Sequence, residues 1–123
     1  MTPQETVEAF IDCWNQMDLE AAIAMMSDDI IYHNIPWEPA DGKEAVQAAF
    51  GNFPPMEGCD WETHFIAANG NTVLTERTDN FTLEGGKKAS VRVMGTFEIN
   101  DDGKVAKWRD YFDSAEFQRE FIG

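Results

Sequence analysis

Apart from one extended stretch at Ile30 to Ile35, apolar residues along this chain keep a helical spacing up to Phe53, and they alternate from Asp60 onward. A chain whose helices come first and whose strands follow keeps the two kinds of element apart. That is the α+β class, in which helices cover one face of a sheet. In the first part, Thr2-Pro3-Gln4-Glu5 has the form of a capping box with proline at the first helical position. Val7, Phe10, Ile11, Trp14 and Met17 then share one helical face. Asp18 can cap a second, shorter helix that buries Leu19, Ala22, Ile23 and Met26 and stops near Ser27-Asp28-Asp29. Ile30 to Ile35 reads as a strand broken by Pro36 and Pro39. Asp41 to Glu44 repeats the capping pattern before a third helix, with Val46, Ala49, Phe50 and Phe53 on one face and Pro54-Pro55 as its stop.

The second part is punctuated by turn signals at Asn69-Gly70, Gly85-Gly86 and Asn100-Asp101-Asp102-Gly103, which predict four long strands in a meander. Ser114 to Ile122, with Phe117, Phe121 and Ile122 apolar, predicts a last helical turn or two packed on the domain. No linker or repeat interrupts the chain, so residues 1–123 are expected to form a single domain. The expected architecture is a strongly curved mixed or antiparallel sheet covered by about three N-terminal helices, making a cone around a deep pocket.

Charge narrows the function. Nine Lys and Arg stand against 23 Asp and Glu among 123 residues, a formal net charge of −14. Such a surface repels nucleic acid and anionic membranes. The longest apolar run, Ala21 to Met26, is far short of the ~20 residues of a membrane helix, and the acidic start lacks the basic region of a signal peptide. A cytoplasmic protein is therefore expected. Cys13 and Cys59 stand in no zinc-binding spacing and read as free thiols, and no metal site is expected. With 43% apolar residues the chain can nevertheless build a core.

The informative residues are polar groups on faces that should be apolar. Alternation puts Ile30, Tyr32 and Asn34 together; Val73, Thr75, Arg77, Asp79, Phe81 and Leu83 together; and Ala106, Trp108, Asp110 and Phe112 together. Taken singly, each could be an outer face, where an Arg–Asp pair is worth at most ~1 kcal/mol. Taken together they point inward, because burying an unpaired charge costs several kcal/mol and these groups can satisfy one another. Two carboxylates around one guanidinium in a dry cavity repel each other, and desolvation adds to the repulsion, so one carboxyl is expected to stay protonated near neutral pH. An acid and a base then coexist, with Tyr32 and Asn34 able to hold a water.

At these residues the sequence resembles the limonene-1,2-epoxide hydrolase family, a branch of the cone-shaped superfamily that includes nuclear transport factor 2 (NTF2) and ketosteroid isomerase. Tyr32-His33-Asn34-Ile35-Pro36, with Pro39 and Gly42, is similar to its Tyr-x-Asn-x-Pro segment. Glu76-Arg77-Thr78-Asp79 resembles its Glu-Arg-x-Asp strand, and Val93-Met94-Gly95-Thr96-Phe97-Glu98 its Gly-x-Phe-Glu strand. Trp108-Arg109-Asp110-Tyr111-Phe112-Asp113 resembles its Trp-Arg-Asp-Tyr-Phe-Asp strand and is the most specific of the four. The resemblance implies an NTF2-like fold and one-step addition of water to a small cyclic epoxide. It implies Asp110 as general base, Tyr32 and Asn34 as water-positioning groups, Arg77 as the bridge between the acids, and protonated Asp79 as the donor to the epoxide oxygen. It further implies a pocket lined by Trp108, Phe81 and Phe112, no cofactor, and a homodimer.

Other candidates are weaker. His33 alternates away from Tyr32, and His64 lies in a strand with no carboxylate motif. Arg109 alternates away from Asp110, Asp113 sits at a strand end, and Cys13 has no basic neighbour. The six methionines read as core filler. Two other functions remain open on the residues: an isomerase or polyketide cyclase of the same fold, and a ligand-binding module without catalysis. An arginine between the two acids favours the hydrolase over the isomerase.

Overall fold

The computed structural model describes all 123 residues, Met1–Gly123. The capping box at Thr2 forms: the Glu5 N–H donates to Thr2 Oγ1 at 3.1 Å, and the Thr2 N–H donates to Glu5 Oε1 at 2.8 Å. Helix α1 (Pro3–Asn15) buries Val7, Phe10, Ile11 and Trp14. Met17 leaves the expected helical face, because the chain turns at a positive φ of 59° there and carries the side chain out to solvent. Asp18 caps α2 (Leu19–Ala24) by accepting from the Ala21 N–H at 3.0 Å. That helix is shorter than expected, so Met26 is buried as the first residue of β1 (Met26–Asn34), while Leu19 stays exposed.

The capping pattern before the third helix is not realised. Asp41 is drawn into β2 (Ala40–Asp41), which pairs with β1 through Ile31 and Tyr32. Gly42, at φ 96°, becomes the N-cap of α3 (Lys43–Gly51) without a side-chain hydrogen bond, and its N–H donates to the Ile30 carbonyl at 2.7 Å. Only a glycine enters a helix easily from that backbone region.

The meander follows as β3 (Met56–Asn69), β4 (Thr72–Leu83), β5 (Lys88–Ile99) and β6 (Val105–Tyr111). Strand order is β2-β1-β6-β5-β4-β3, antiparallel throughout except where β1 runs parallel to β6. The concave face of this mixed sheet carries the core, with Met26, Ile30, Val73, Phe97 and Trp108 fully buried under α1 and α3 and Phe10 of α1 fully buried against Phe97 and Trp108. In β6 the alternation slips: Val105, not Ala106, is buried ahead of Trp108, because the β5–β6 register shifts between Glu98 and Ile99.

Helix α4 (Ser114–Phe121) has a specific reason to lie where it does. β6 pairs with β5 only as far as Met94, leaving N–H groups of β5 uncovered beyond it. The Glu116 carboxylate accepts from the Arg92 N–H at 2.7 Å and Glu120 accepts from the Ser90 N–H at 3.0 Å, so α4 finishes the sheet edge with side chains. No helix is long and apolar enough to cross a membrane.

Candidate active site

Four neighbouring strands, β1, β6, β5 and β4, meet at the site, and their register brings its groups together. β4 presents Thr75, Arg77 and Asp79 at two-residue steps on the concave face, and β6 presents Trp108 and Asp110. Parallel pairing puts Tyr32 beside Trp108 and Asn34 beside Asp110. β5 separates β4 from β6, and in register with both Thr75 and Asp110 it carries Gly95. Adjacent strands lie about 4.8 Å apart, so a side chain crossing from β4 to β6 must pass over β5. Arg77 crosses there. A Cβ on Gly95 would overlap Arg77 Nη1 and fall 2.7 Å from Asp110 Oδ1 and 3.0 Å from Thr75 Oγ1.

Arg77 Nε donates to Asp79 Oδ1 at 2.9 Å, and Nη2 donates to Asp79 Oδ2 at 2.9 Å, a bidentate pair. The same Nη2 donates to Asp110 Oδ2 at 3.2 Å, and Nη1 donates to Thr75 Oγ1 at 3.0 Å. The guanidinium carbon lies 5.0 Å from the centroid of the Trp61 ring and 5.9 Å from that of Phe97, so aromatic faces add to its stabilisation. The Trp108 indole donates to Asp110 Oδ1 at 3.0 Å, which leaves each Asp110 oxygen with one fixed donor. The Tyr32 hydroxyl donates to Asn34 Oδ1 at 3.0 Å. The Tyr32 oxygen is thus free to accept and the Asn34 amide NH2 to donate.

Burial governs the charges. Desolvation raises the Asp79 carboxyl to about 6, against the opposing pull of Arg77 and with help from Asp110. Desolvation disfavours the Arg77 cation, but Asp110 and Asp79 together outweigh it and hold the guanidinium protonated. Tyr32 is pushed well above the usual phenol range, first by burial and then by Asp110. A raised Asp79 carboxyl goes in the same direction as the expectation of one protonated acid at this site.

A cavity of about 200 Å³ opens in front of this cluster, and sixteen of its twenty lining residues are apolar. Its carboxylate and amide side chains are Asp79, Asp110 and Asn34, with Tyr32 beside them. Among the sequence-predicted pocket residues, Phe81 and Phe112 line the cavity and Trp108 does not. Trp108 is fully buried behind it, stacked on Tyr32 at 4.1 Å and edge-on to Phe10 at 5.1 Å, because its register position faces Tyr32 on one side and Phe97 on the other. Its indole supports Asp110 instead. Arg77 likewise sits behind the two acids rather than on the cavity wall.

The other candidates fall away from this cluster. His33 bonds to the Trp37 carbonyl at 2.8 Å and His64 to Thr78 Oγ1 at 2.8 Å on the opposite sheet face. Arg109 pairs with Glu98 at 2.9 Å, and Asp113 caps α4. Cys13 lies 3.8 Å from the Met25 sulfur. Cys59 lines the cavity, but burial, then Asp79 and Asp60, push its thiol up to about 12, which leaves it a poor nucleophile. No group of three or more His, Cys, Asp and Glu side chains is placed to hold a metal ion.

Thr75, Gly95 and Trp61 belong to the site without having been assigned a role from sequence. Gly95 carried a signal, since glycine inside an alternating apolar strand marks a close approach. Trp61 carried none.

Residues 1–122 match the family model of the limonene-1,2-epoxide hydrolase catalytic domain. The chain is 35% identical over 107 residues to epoxide hydrolase EphG of Mycobacterium tuberculosis, covering 87% of this chain and 70% of that protein. A solved structure of an M. tuberculosis LEH-like epoxide hydrolase superposes with a TM-score of 0.81 at 30% identity, over 98% of this chain and 89% of the other. An NTF2-like protein from Burkholderia pseudomallei superposes with a TM-score of 0.85 at 18% identity over 100% of both chains, a likeness of fold alone. The fold is therefore NTF2-like, and the chain belongs to the limonene-1,2-epoxide hydrolase catalytic domain family.

Proposed function

We propose that this protein is an epoxide hydrolase that adds water in one step to a small cyclic epoxide, of the limonene-1,2-epoxide or cyclohexene oxide type, to give a vicinal diol. The observation that carries the reading is Arg77 shared between Asp79 and Asp110 at the head of an apolar cavity. The family membership and the epoxide hydrolase named at 35% identity support it.

Asp110 takes a proton from water while the water oxygen bonds to an epoxide carbon. The carbon–oxygen bond of the ring breaks, and Asp79 in its acid form delivers a proton to the departing oxygen. Tyr32 accepts from the attacking water and Asn34 donates to it. One proton has moved onto Asp110 and one off Asp79, so a single proton returned between them resets the site. Substrate filling the cavity excludes water and raises Asp79 further, which favours the donor form in the complex. Ring opening of this kind needs only a placed nucleophile and a placed proton donor, so the reading requires no cofactor. An isomerase or cyclase would take its proton from carbon and needs no arginine between its acids.

The test is incubation with limonene oxide and cyclohexene oxide in oxygen-18 water. One labelled oxygen per diol is expected; no labelled diol from any small epoxide overturns the reading. It extends to one domain over residues 1–123 acting as a cytoplasmic homodimer. Phe65 (73% exposed), Leu74, Met94 and Tyr111 lie on the convex sheet face and support pairing there. Sedimentation equilibrium at twice the chain mass is the expected result, and a monomer refutes the dimer.

A further inference from the structure

Arg77 can satisfy Asp79 alone. Its Nε and Nη2 form a two-point contact with one carboxylate, a pairing that needs nothing from β6. The contact that joins the two acids is the single bond from Nη2 to Asp110, at 3.2 Å the longest of the four that Arg77 donates. Beside the Trp61 and Phe97 rings against its face, the guanidinium has one further hold, on its remaining nitrogen, Nη1.

Nη1 donates to Thr75 Oγ1, and Thr75 Oγ1 in turn donates to the Gly95 carbonyl at 3.2 Å. The hydroxyl proton is thereby committed to β5, which turns an oxygen lone pair toward Arg77. Thr75 is 1% exposed and does not line the cavity, so its side chain stands behind the wall that a substrate would meet. Gly95 leaves open the space through which the guanidinium passes, and Thr75 borders it. We infer that Thr75 is a positioning residue for the acid–base pair, its hydroxyl orienting the Arg77 guanidinium so that Nη2 serves Asp79 and Asp110 together.

The inference rests on the proposed hydrolase reading for its kinetic consequence but not for its structural one, so two readouts are used. Thr75→Val keeps the side-chain shape and removes the acceptor. Under the hydrolase reading, kcat falls by at least about tenfold with KM within about twofold, since a misplaced group loses rate rather than binding. Arg77, released toward Asp79 alone, favours the Asp79 carboxylate, so the alkaline limb of the pH–rate profile moves to lower pH. Thr75→Ser restores the hydroxyl, the rate to within about threefold, and the limb. In the ligand-free protein, carbon-13 titration of the aspartate carboxyls shows Asp79 titrating lower in Thr75→Val than in wild type or Thr75→Ser. If Thr75→Val does not fold, Thr75→Ala takes its place with the same expectations.

A Val or Ala variant with wild-type kcat and wild-type Asp79 titration overturns the inference, and so does a Ser variant no better than Val. A wild-type protein that opens no epoxide, yet whose Asp79 titration still depends on the Thr75 hydroxyl, refutes the hydrolase and supports the positioning role.

Discussion

Arg77 and Arg92 both pair with carboxylates, the first inside the cone and the second outside it. Arg77 has a fully buried side chain shared by Asp79 and Asp110; Arg92 on the convex face is 81% exposed and pairs with Glu116 at 2.8 Å. The partners respond in opposite directions. Asp79 is raised to about 6 because desolvation outweighs its arginine. Glu116 is lowered, first by the side-chain hydrogen bond from Arg92 and next by the Arg92 backbone N–H. An ion pair beside solvent stabilises a carboxylate, whereas the same pair inside a cavity leaves a carboxyl that still binds a proton close to working pH. The inner arrangement can serve as an acid, and the outer one anchors α4.

The sharpest way to break this contrast is to remove an inner acid. Asp110→Asn and Asp79→Asn should each lower turnover of a small epoxide by at least about 100-fold while the circular dichroism spectrum is unchanged. Near-wild-type rates in either variant mean that the assigned roles are wrong. Gly95→Ala attacks the crossing of Arg77 over β5. It should cut turnover to a similar extent and lower stability by about 1–3 kcal/mol in urea unfolding, as overpacking does. An active, stable alanine variant would show that the guanidinium can take another path.

Titration separates the two sites next. Under the proposed mechanism kcat/KM falls about tenfold per pH unit above the Asp79 value of about 6. The limb in kcat lies at higher pH because bound substrate desolvates the acid further. Profiles from pH 5 to 9 on wild-type protein check both limbs, and a flat kcat/KM between 6 and 8 excludes Asp79 as the donor. Stability has its own sign. Because the folded pKa of Asp79 lies above its unfolded value, the native state binds the extra proton between about pH 4 and about pH 6. Its contribution is therefore lost as pH rises through that window. Glu116 does the reverse, contributing above the ordinary carboxylate range and losing its contribution as pH falls. Urea unfolding of Asp79→Asn should consequently decline less between pH 4 and 6 than that of wild type. The smallest effects belong outside: Glu116→Ala should lower stability by about 1 kcal/mol by uncovering the Arg92 N–H. Arg92→Ala should leave the rate unchanged. A large loss of rate in Arg92→Ala would mean that the two regions are coupled.

Much of the site was legible because alternation is a local property. Arg77 and Asp79 two residues apart in β4, and Trp108 and Asp110 two apart in β6, had to point the same way once each segment was extended. Helix ends were less legible. Asp41 had the credentials of a cap, yet pairing with Ile31 in β2 took it, and a glycine at positive φ opened α3 instead. The depth of a side chain was least legible: Trp108 and Arg77 share a face with cavity residues and still lie behind the cavity wall.

By itself the sequence determined the class of fold and which polar side chains share an apolar face, because helical and extended periods follow from backbone geometry alone. Only the tertiary structure decided which strand lies beside which. The parallel pairing of β1 with β6 sets Asn34 next to Asp110, and the register of β5 sets Gly95 in the path of Arg77. It also decided that desolvation, which depends on every neighbour in space, prevails over the arginine at Asp79 and yields to it at Glu116.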